Sequence, residues 1–301
     1  MNRYWQGQFN VGHLLWEDVA NSYLSMVRLD SYSPNAILMN VNKFPPRTNG
    51  FERLIKNVSP SFVKDVVQFD DYMKNFSNVN TVCFKTIVAG GSGNFFLTDG
   101  ETVGKEKMLY DFRSRILIHN GIDLQHPPEK HQILLVNKSH SDWGHQTKHR
   151  SRRIIYNLKE VELFLKETYP YVSIVTVEFH KMSFTEQLWI IYNTTILITP
   201  CGGVSAMIPF LPKGAHAIIM DYSSTEYFRG WQPNESASME SYSWNYFHHF
   251  TKLYYQIRGP EDYVLDMPNT DDVRNYASPI IKMNRLKELV DTAIENSVGL
   301  G

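Results

Sequence analysis

The sequence predicts an α/β protein whose second half forms a Rossmann-like lobe. Beyond residue 128, short apolar strands alternate with amphipathic helices, which is the pattern of a parallel sheet covered by helices on both faces. The chain of 301 residues is also long enough for two units of about 150 residues each. We therefore predict an N-terminal α/β lobe at residues 1–127, a C-terminal Rossmann-like lobe at 128–278 and a final helix at 279–301.

Apolar spacing predicts the elements of the N-terminal lobe. Residues 11–29 carry apolar side chains at helical spacing, and residues 105–120 repeat large side chains once per turn. Residues 35–41 and 81–89 are apolar runs bounded by proline or glycine, as expected of strands. Residues 125–129 then form a linker, because their two prolines fix an extended backbone that continues neither pattern.

The C-terminal lobe alternates strand and helix more regularly. The predicted strands are short, mostly apolar runs at residues 131–136, 172–177, 195–199 and 215–221. The predicted helices lie at residues 150–168, 183–192, 204–210 and 279–297. Ser183 and Glu186 have the spacing of a capping box at a helix start. We expect the last helix to pack back on the N-terminal lobe.

Composition and charge exclude several functional classes. A net charge of -1 provides no global field for nucleic acid or an anionic membrane. Cys83 and Cys201 form neither a disulfide framework nor a metal-spaced pair. The histidines 140, 145 and 149 form only a loose series with no cysteine nearby, so we expect no metal site. Without a secretory pattern or a membrane-spanning run, we expect a cytoplasmic protein from a microbial or viral setting.

The first candidate site is a glycine turn between a strand and a helix. It runs from Thr199 through Gly202 and Gly203 to Val204 and Ser205. Glycine lets a ligand approach the backbone, and the N–H groups of a helix start attract phosphate oxygens. Ligands of open α/β sheets bind at the carboxyl ends of strands, where this turn lies. An ordinary tight turn would explain the two glycines equally well, so the turn alone decides nothing.

A basic run at residues 148–153 is the second candidate. The forked guanidinium groups of Arg150 and Arg153 suit the oxygens of a diphosphate. A charge run is ordinarily a solvated face of a helix. Here, however, positive charge at a predicted helix start opposes the macrodipole, which favours an anion-binding role.

Four acids and a histidine complete the candidates. His13 and Glu17 are four residues apart and would share a helix face, next to Asp18. A carboxylate beside a histidine is a workable general base for a sugar hydroxyl, although an ordinary surface pair has the same spacing. Glu186 and Asp221 could reach a ribose hydroxyl, but spacing alone does not show it.

Together these motifs resemble glycosyltransferase family 61, which includes protein O-mannose and EGF-domain N-acetylglucosaminyltransferases and plant xylosyl- and arabinosyltransferases. The resembling blocks are His13 with Glu17 and Asp18, Cys83-Phe84 with Gly90, Arg153 with Asn157 and Glu160, residues 183–187, and Gly202 with Met207 and residues 210–214. The last two blocks are the more specific. The chain departs from the family at three places, where it has Cys201 for a histidine, Gly203-Val204 for Ala-Gly, and Lys138 for an arginine.

The resemblance implies a two-lobed GT-B fold, a UDP-sugar donor, inversion at the anomeric carbon and no obligatory metal. Arg150, Arg153, Lys138 and the amides of the glycine turn would hold the diphosphate leaving group. Glu17 or Asp18 would activate the hydroxyl of a glycan or glycoconjugate acceptor, supported by His13. A catalytically silent binding relative is the main alternative, favoured by Cys201 and Lys138. A dinucleotide-dependent enzyme is disfavoured, because no G-x-G-x-x-G turn precedes a suitably spaced acid.

Overall fold

The computed structural model describes residues 11–40, 49–89, 104, 106–138, 153–222, 244–265 and 273–297. The chain divides into two compact units, Met1–Asp123 and Leu124–Gly301. Arg150, the other basic residues up to 152, the three spaced histidines and Gly90 lie outside the described residues. Among the described residues, no helix is both long enough and apolar enough to cross a membrane.

The N-terminal unit combines helices with a small parallel sheet. Its helices are a π-helical turn at His13–Val19, α1 at Ala20–Arg28, α2 at Asn49–Val58, a 3-10 turn at Ser59–Ser61, α3 at Phe69–Lys74 and α4 at Glu106–His119. Strand β1 (Ile37–Asn40) pairs in parallel with β2 (Asp65–Gln68). Four buried rings, those of Trp16, Tyr23, Phe62 and Phe112, join the helices with centroids 5.6–5.7 Å apart.

The strand predicted at residues 81–89 is wrong. This segment has no regular structure, and most of its side chains are exposed. A run of β-forming residues becomes a strand only when a neighbour completes its hydrogen bonds and covers a face. In the part of the chain that the structure describes, this segment pairs with no strand.

The C-terminal unit is built on a five-stranded, fully parallel sheet. Its strands are β3 (Gln132–Val136), β4 (Ser173–Val177), β5 (Ile196–Thr199), β6 (His216–Tyr222) and β7 (Thr251–Ile257). They lie in the order β4-β3-β5-β6-β7. A separate antiparallel pair joins β8 (Tyr263–Leu265) to β9 (Ala277–Pro279). This sheet confirms the α/β class and is compatible with the Rossmann-like prediction for the second half.

Helices α5 (Leu158–Thr168), α6 (Phe184–Tyr192), α7 (Val273–Tyr276) and α8 (Met283–Asn296) accompany the sheet, together with 3-10 helices at Phe179–Lys181, Gly203–Phe210 and Pro260–Asp262. Strand β7 was not predicted, because its lysine, tyrosines and glutamine break the apolar run that marks a central strand. As the last strand in the order, β7 tolerates these polar side chains.

The apolar stripe of the final helix packs within the C-terminal unit, while the predicted packing of this helix on the N-terminal lobe stays a prediction. Leu286, Val290 and Ala293 are fully buried in one core with residues of β3, β5, β6, β7 and α5. Their spacing of four and three residues gives α8 a single apolar stripe, and this stripe covers the C-terminal sheet. The helix also begins at Met283 rather than at Pro279, since residues 277–279 are used as β9.

Two histidines mark the amino edge of the sheet. His216 begins β6 and is only 2% exposed, with its Nδ1 3.4 Å from the hydroxyl of Ser297. His131 precedes β3, and its Nδ1 lies 3.3 Å from the hydroxyl of Thr195. Burial, and secondarily the charge of His131, lowers the pKa of His216 below its ordinary value.

We predict that the free energy of unfolding decreases as the pH falls below about 6.5, the pKa of an unperturbed histidine, because the buried ring of His216 resists protonation. Because the folded-state pKa is lowered, the unfolded chain binds the proton more tightly. The stability contributed by the neutral ring is therefore complete above the unfolded pKa and is lost as the pH falls through it. The free energy of unfolding, measured by urea denaturation, should decline less steeply with acid in a His216→Gln variant. The matched substitution of exposed His248 should leave the slope unchanged, and equal slopes in all three proteins would contradict the prediction.

Candidate functional site

The strand order places a crevice at the carboxyl edge of the C-terminal sheet. From β3 the chain crosses first to β4 on one side, and then returns to β5 on the other side. The connections that follow β3 and β5 therefore leave the sheet in opposite directions. Ligands of open α/β sheets bind at such a topological switch point.

Two cations converge on a glycine at this switch point. Lys138 follows β3, and its Nζ donates a hydrogen bond to the carbonyl of Cys201, at 3.3 Å. Nη1 of Arg153 lies 3.8 Å from the Sγ of Cys201. A Cβ atom built on Gly202 would lie 3.0 Å from Arg153 Nη2 and 3.0 Å from Lys138 Nζ. The structure thus gathers three residues that are far apart in the sequence.

The two positive charges favour an anion at this point. Since each lies 3.0 Å from the same Cβ position, Lys138 Nζ and Arg153 Nη2 are within about 6 Å of each other. At that separation two unit charges repel by roughly 3 kcal/mol when the effective dielectric constant is about 20. Both side chains are half-buried, so solvent screens them only partly. A bound phosphate or diphosphate would turn this repulsion into attraction.

The backbone of the glycine turn also has an unusual conformation. Gly202 has φ 107° and ψ -156°, a region that only glycine occupies readily. The Gly202 carbonyl accepts hydrogen bonds from the backbone N–H of Ser205 (2.9 Å) and from its hydroxyl (2.6 Å). Gly203 and Val204 lie in the first turn of the 3-10 helix, where backbone N–H groups lack intrahelical acceptors. Thr199 is buried, and its hydroxyl donates to the carbonyl of Pro200 at 3.0 Å.

Arg153 reaches the site from a non-helical backbone segment and not from the predicted helix start. Helix α5 begins at Leu158, and Arg153 has φ 60°, so it does not open a helix. The prediction that Arg153 places its positive charge at a helix start is therefore wrong. Instead, the following residues are bound beside β9, where the N–H of Ile154 donates to the Ser278 hydroxyl (3.2 Å) and that of Tyr156 to the Pro279 carbonyl (2.8 Å). Long-range pairing, which local sequence does not reveal, positions this arginine.

Glu186 completes the predicted capping box. Its carboxylate accepts from the N–H of Ser183 at 2.7 Å, and its own N–H donates to the Ser183 hydroxyl at 3.3 Å. These hydrogen bonds lower the pKa of Glu186. The amide of Gln187 donates to the carbonyls of Phe179 (2.8 Å) and Met182 (3.1 Å). The block 183–187 therefore fixes the turn between β4 and α6, while contact of Glu186 with a donor stays a prediction.

Asp221 lies near the carboxyl end of β6 and is only 1% exposed. Its Oδ2 accepts a hydrogen bond of 2.7 Å from the amide of Gln256, its register partner on β7. This pair lies at the same edge of the sheet as Gly202. The ribose contact predicted for Asp221 stays a prediction.

The candidate bases belong to the N-terminal unit. Glu17 and Asp18 are half-buried in the π-helical turn, and their carbonyls accept from the side chains of Asn21 and Ser22. π-Helical turns are rare and often occur at functional sites. The side chain of His13 lies outside the described part of the structure, so its support for either acid stays a prediction.

Two polar residues at the carboxyl edge were not among the predicted site residues. Asn137 directly follows β3, Glu178 directly follows β4, and the Asn137 amide donates to Glu178 Oε1 at 3.3 Å. A signal for both was present in the sequence, because each is the first polar side chain after an apolar strand. Within the described ranges, no group of three or more histidine, cysteine or acidic side chains is arranged to hold a metal ion.

A model of the family described as glycosyltransferase 61 matches residues 51–218, which is more than half of the chain. The protein therefore belongs to glycosyltransferase family 61, as its motifs predicted. Membership makes it a glycosyltransferase, whose substrates are a sugar donor and an acceptor. The matched region contains Lys138, Arg153 and Gly202. No curated protein matches the chain.

We predict that Gly202→Ala removes anion binding as well as stability. The new Cβ would strain the backbone, at a cost of about 1–3 kcal/mol, and would occupy the point on which the two cations converge. Gly121→Ala is the matched control, since Gly121 also has a positive φ (80°) but open space around its Cβ position. Both variants should melt at lower temperature than the wild type. Only Gly202→Ala should lose affinity for inorganic pyrophosphate in isothermal titration, and equal affinities in the two variants would refute the assignment.

Proposed function

We propose that the protein is an inverting glycosyltransferase that moves a sugar from a UDP-sugar to a hydroxyl of a glycan or glycoconjugate. The single observation that carries this proposal is the convergence of Lys138 and Arg153 on Gly202 at the switch point of the sheet. Family membership supplies the reaction class, and the two cations supply a place for a diphosphate. The two-lobed GT-B arrangement is part of the same proposal.

In this reaction the C-terminal unit must stabilise the negative charge that develops on the leaving group. As the bond between the anomeric carbon and the diphosphate breaks, the sugar gains oxocarbenium character and the departing UDP gains negative charge. Lys138, Arg153 and the first amides of the 3-10 helix at Gly203–Phe210 would meet that charge. Since these groups are already in place, they need little reorganisation during the reaction. In this proposal the cations do the work for which other enzymes use a metal, so no metal is obligatory.

The acceptor hydroxyl must lose a proton as it attacks. Glu17 or Asp18 would take that proton from the face opposite the leaving group, which gives inversion. Both acids lie N-terminal to the region matched by the family model, so this assignment rests on their chemistry, on the resemblance and on the π-helical turn that carries them.

We predict that Lys138→Met and Arg153→Met each weaken UDP binding about tenfold or more, because each removes a charge-assisted hydrogen bond. Lys213→Met, at an exposed lysine, is the matched control and should bind UDP normally. Thermal shift with UDP, UDP-sugars, free nucleotides and NAD(P) measures this, since a ligand at 100 times its dissociation constant adds about 2.7 kcal/mol of stability. EDTA should leave the shifts unchanged.

Failure of every uridine nucleotide to raise the melting temperature would overturn the donor assignment. A UDP shift that EDTA abolishes would overturn the metal-free mechanism alone. Binding of UDP without transfer to any acceptor would favour the catalytically silent relative, which is consistent with Cys201 where the family usually has histidine.

We predict that Glu17→Gln or Asp18→Asn lowers kcat by about 10²–10⁴ without changing the affinity for UDP, because a general base acts on the acceptor and not on the donor. Steady-state transfer from the best UDP-sugar, together with UDP titration, separates the two effects. Asp30→Asn, at an exposed acid of the same unit, is the control. Normal turnover in both acid variants would show that neither residue is the base.

A further inference from the structure

Glu178 occupies a position at the sheet edge that the leaving-group chemistry does not use. It directly follows β4, the second strand of the C-terminal sheet in chain order, and β4 pairs with β3, the first strand. In dinucleotide-binding folds, the phosphate-binding turn follows the first strand, and an acid further along the chain hydrogen-bonds the ribose. Lys138 likewise follows the first strand here, and Glu178 lies 40 residues after it. Glu178 thus stands beside the anion site along the edge of the sheet.

The carboxylate of Glu178 is held in a fixed orientation. The amide of Asn137 donates to Oε1 at 3.3 Å, while Lys181 Nζ lies 2.9 Å and His180 Nε2 3.5 Å from Oε2. The N–H of Asn137 also donates to the carbonyl of Val177 at 2.8 Å, so the pairing of β3 with β4 continues to the edge. A ligand would therefore meet an acceptor that is already positioned.

The capping block 183–187 supports the same turn. Gln187 binds the carbonyls of Phe179 and Met182, on either side of the residues that contact Glu178. Block 183–187, one of the two more specific sequence blocks, therefore has a structural role, because its side chains hold the segment that follows β4. The block thereby stabilises the backbone on which Glu178 sits.

Glu178 is more accessible to solvent than Asp221, which also lies at the carboxyl edge of the sheet. The side chain of Glu178 is 24% exposed, whereas Asp221 is only 1% exposed. The side chains of Lys181 and His180, which contact Oε2, are themselves exposed, so a ligand hydroxyl would share or replace their contacts with the carboxylate. Of these two acids, Glu178 is the one that a ligand from solvent can reach.

We propose that Glu178, oriented by Asn137, binds the ribose hydroxyls of the donor nucleotide and makes the site specific for ribonucleotides. This inference rests on the proposed function, since it places the diphosphate over Gly202. Strands β4 and β5 are two spacings apart, roughly 10 Å, and an extended nucleoside diphosphate spans such a distance. The diphosphate would lie at the β3–β5 switch point, and the ribose would lie towards β4.

The test compares UDP with 2′-deoxy-UDP by isothermal titration. Wild-type protein should bind UDP about tenfold or more tightly, because the deoxy ligand lacks one hydrogen bond to a charged acceptor. Glu178→Gln should weaken UDP binding and bring the preference to about threefold or less, while the affinity for 2′-deoxy-UDP stays nearly constant. Asn137→Ala, a second variant that only loosens the carboxylate, should also reduce the preference. Glu162→Gln, at an ion-paired acid on α5, is the matched control and should keep the full preference.

The outcomes distinguish this inference from the proposed function. Equal binding of the two ligands by the wild type, or an unchanged preference in Glu178→Gln, would overturn the ribose assignment and leave the UDP site intact. Absence of binding by UDP and 2′-deoxy-UDP alike would overturn both proposals. Loss of the preference in Glu178→Gln, with pyrophosphate binding retained, would support the ribose assignment.

Discussion

The missing Cβ at Gly202 is the constraint on which the candidate site depends. Its backbone lies in a region that only glycine occupies readily, and the space that a side chain would fill is bordered by the cations of Lys138 and Arg153. One residue thus sets the path of the chain out of β5 and the gap in which an anion can meet both charges. The hydrogen bonds from Ser205 to the Gly202 carbonyl hold this arrangement from the following turn.

The parallel sheet brings the parts of the site together. Because β3 lies between β4 and β5, the residues that follow it can face both neighbours. Lys138 reaches the end of β5, and Asn137 reaches the end of β4. Arg153 comes from a third direction, on a segment hydrogen-bonded beside β9. The proposed diphosphate and ribose contacts therefore follow from the order of three strands rather than from one contiguous motif.

Several features were predictable because their causes are local. The capping box of Ser183 and Glu186 needs only residues three apart, and it forms as predicted. The buried strands β3, β5 and β6 are apolar on both faces, which identifies central parallel strands. The segment 81–89 has a similar apolar run but remains irregular, since a strand also needs a partner. The helix predicted from residue 150 begins at Leu158, because the preceding backbone hydrogen-bonds near β9 instead of to its own next turn.

The sequence alone determined the α/β class, the strand–helix alternation of the second half and the family, because periodicity and short motifs are properties of neighbouring residues. It also supplied the chemical types of the candidate groups: a glycine turn, basic side chains and acids. Only the tertiary structure decided that Lys138 and Arg153 meet at Gly202, that Glu178 is an accessible acid beside them, and that α8 covers the C-terminal sheet. The physical reason is that strand order and long-range hydrogen bonds set these proximities, and neither can be read from local spacing.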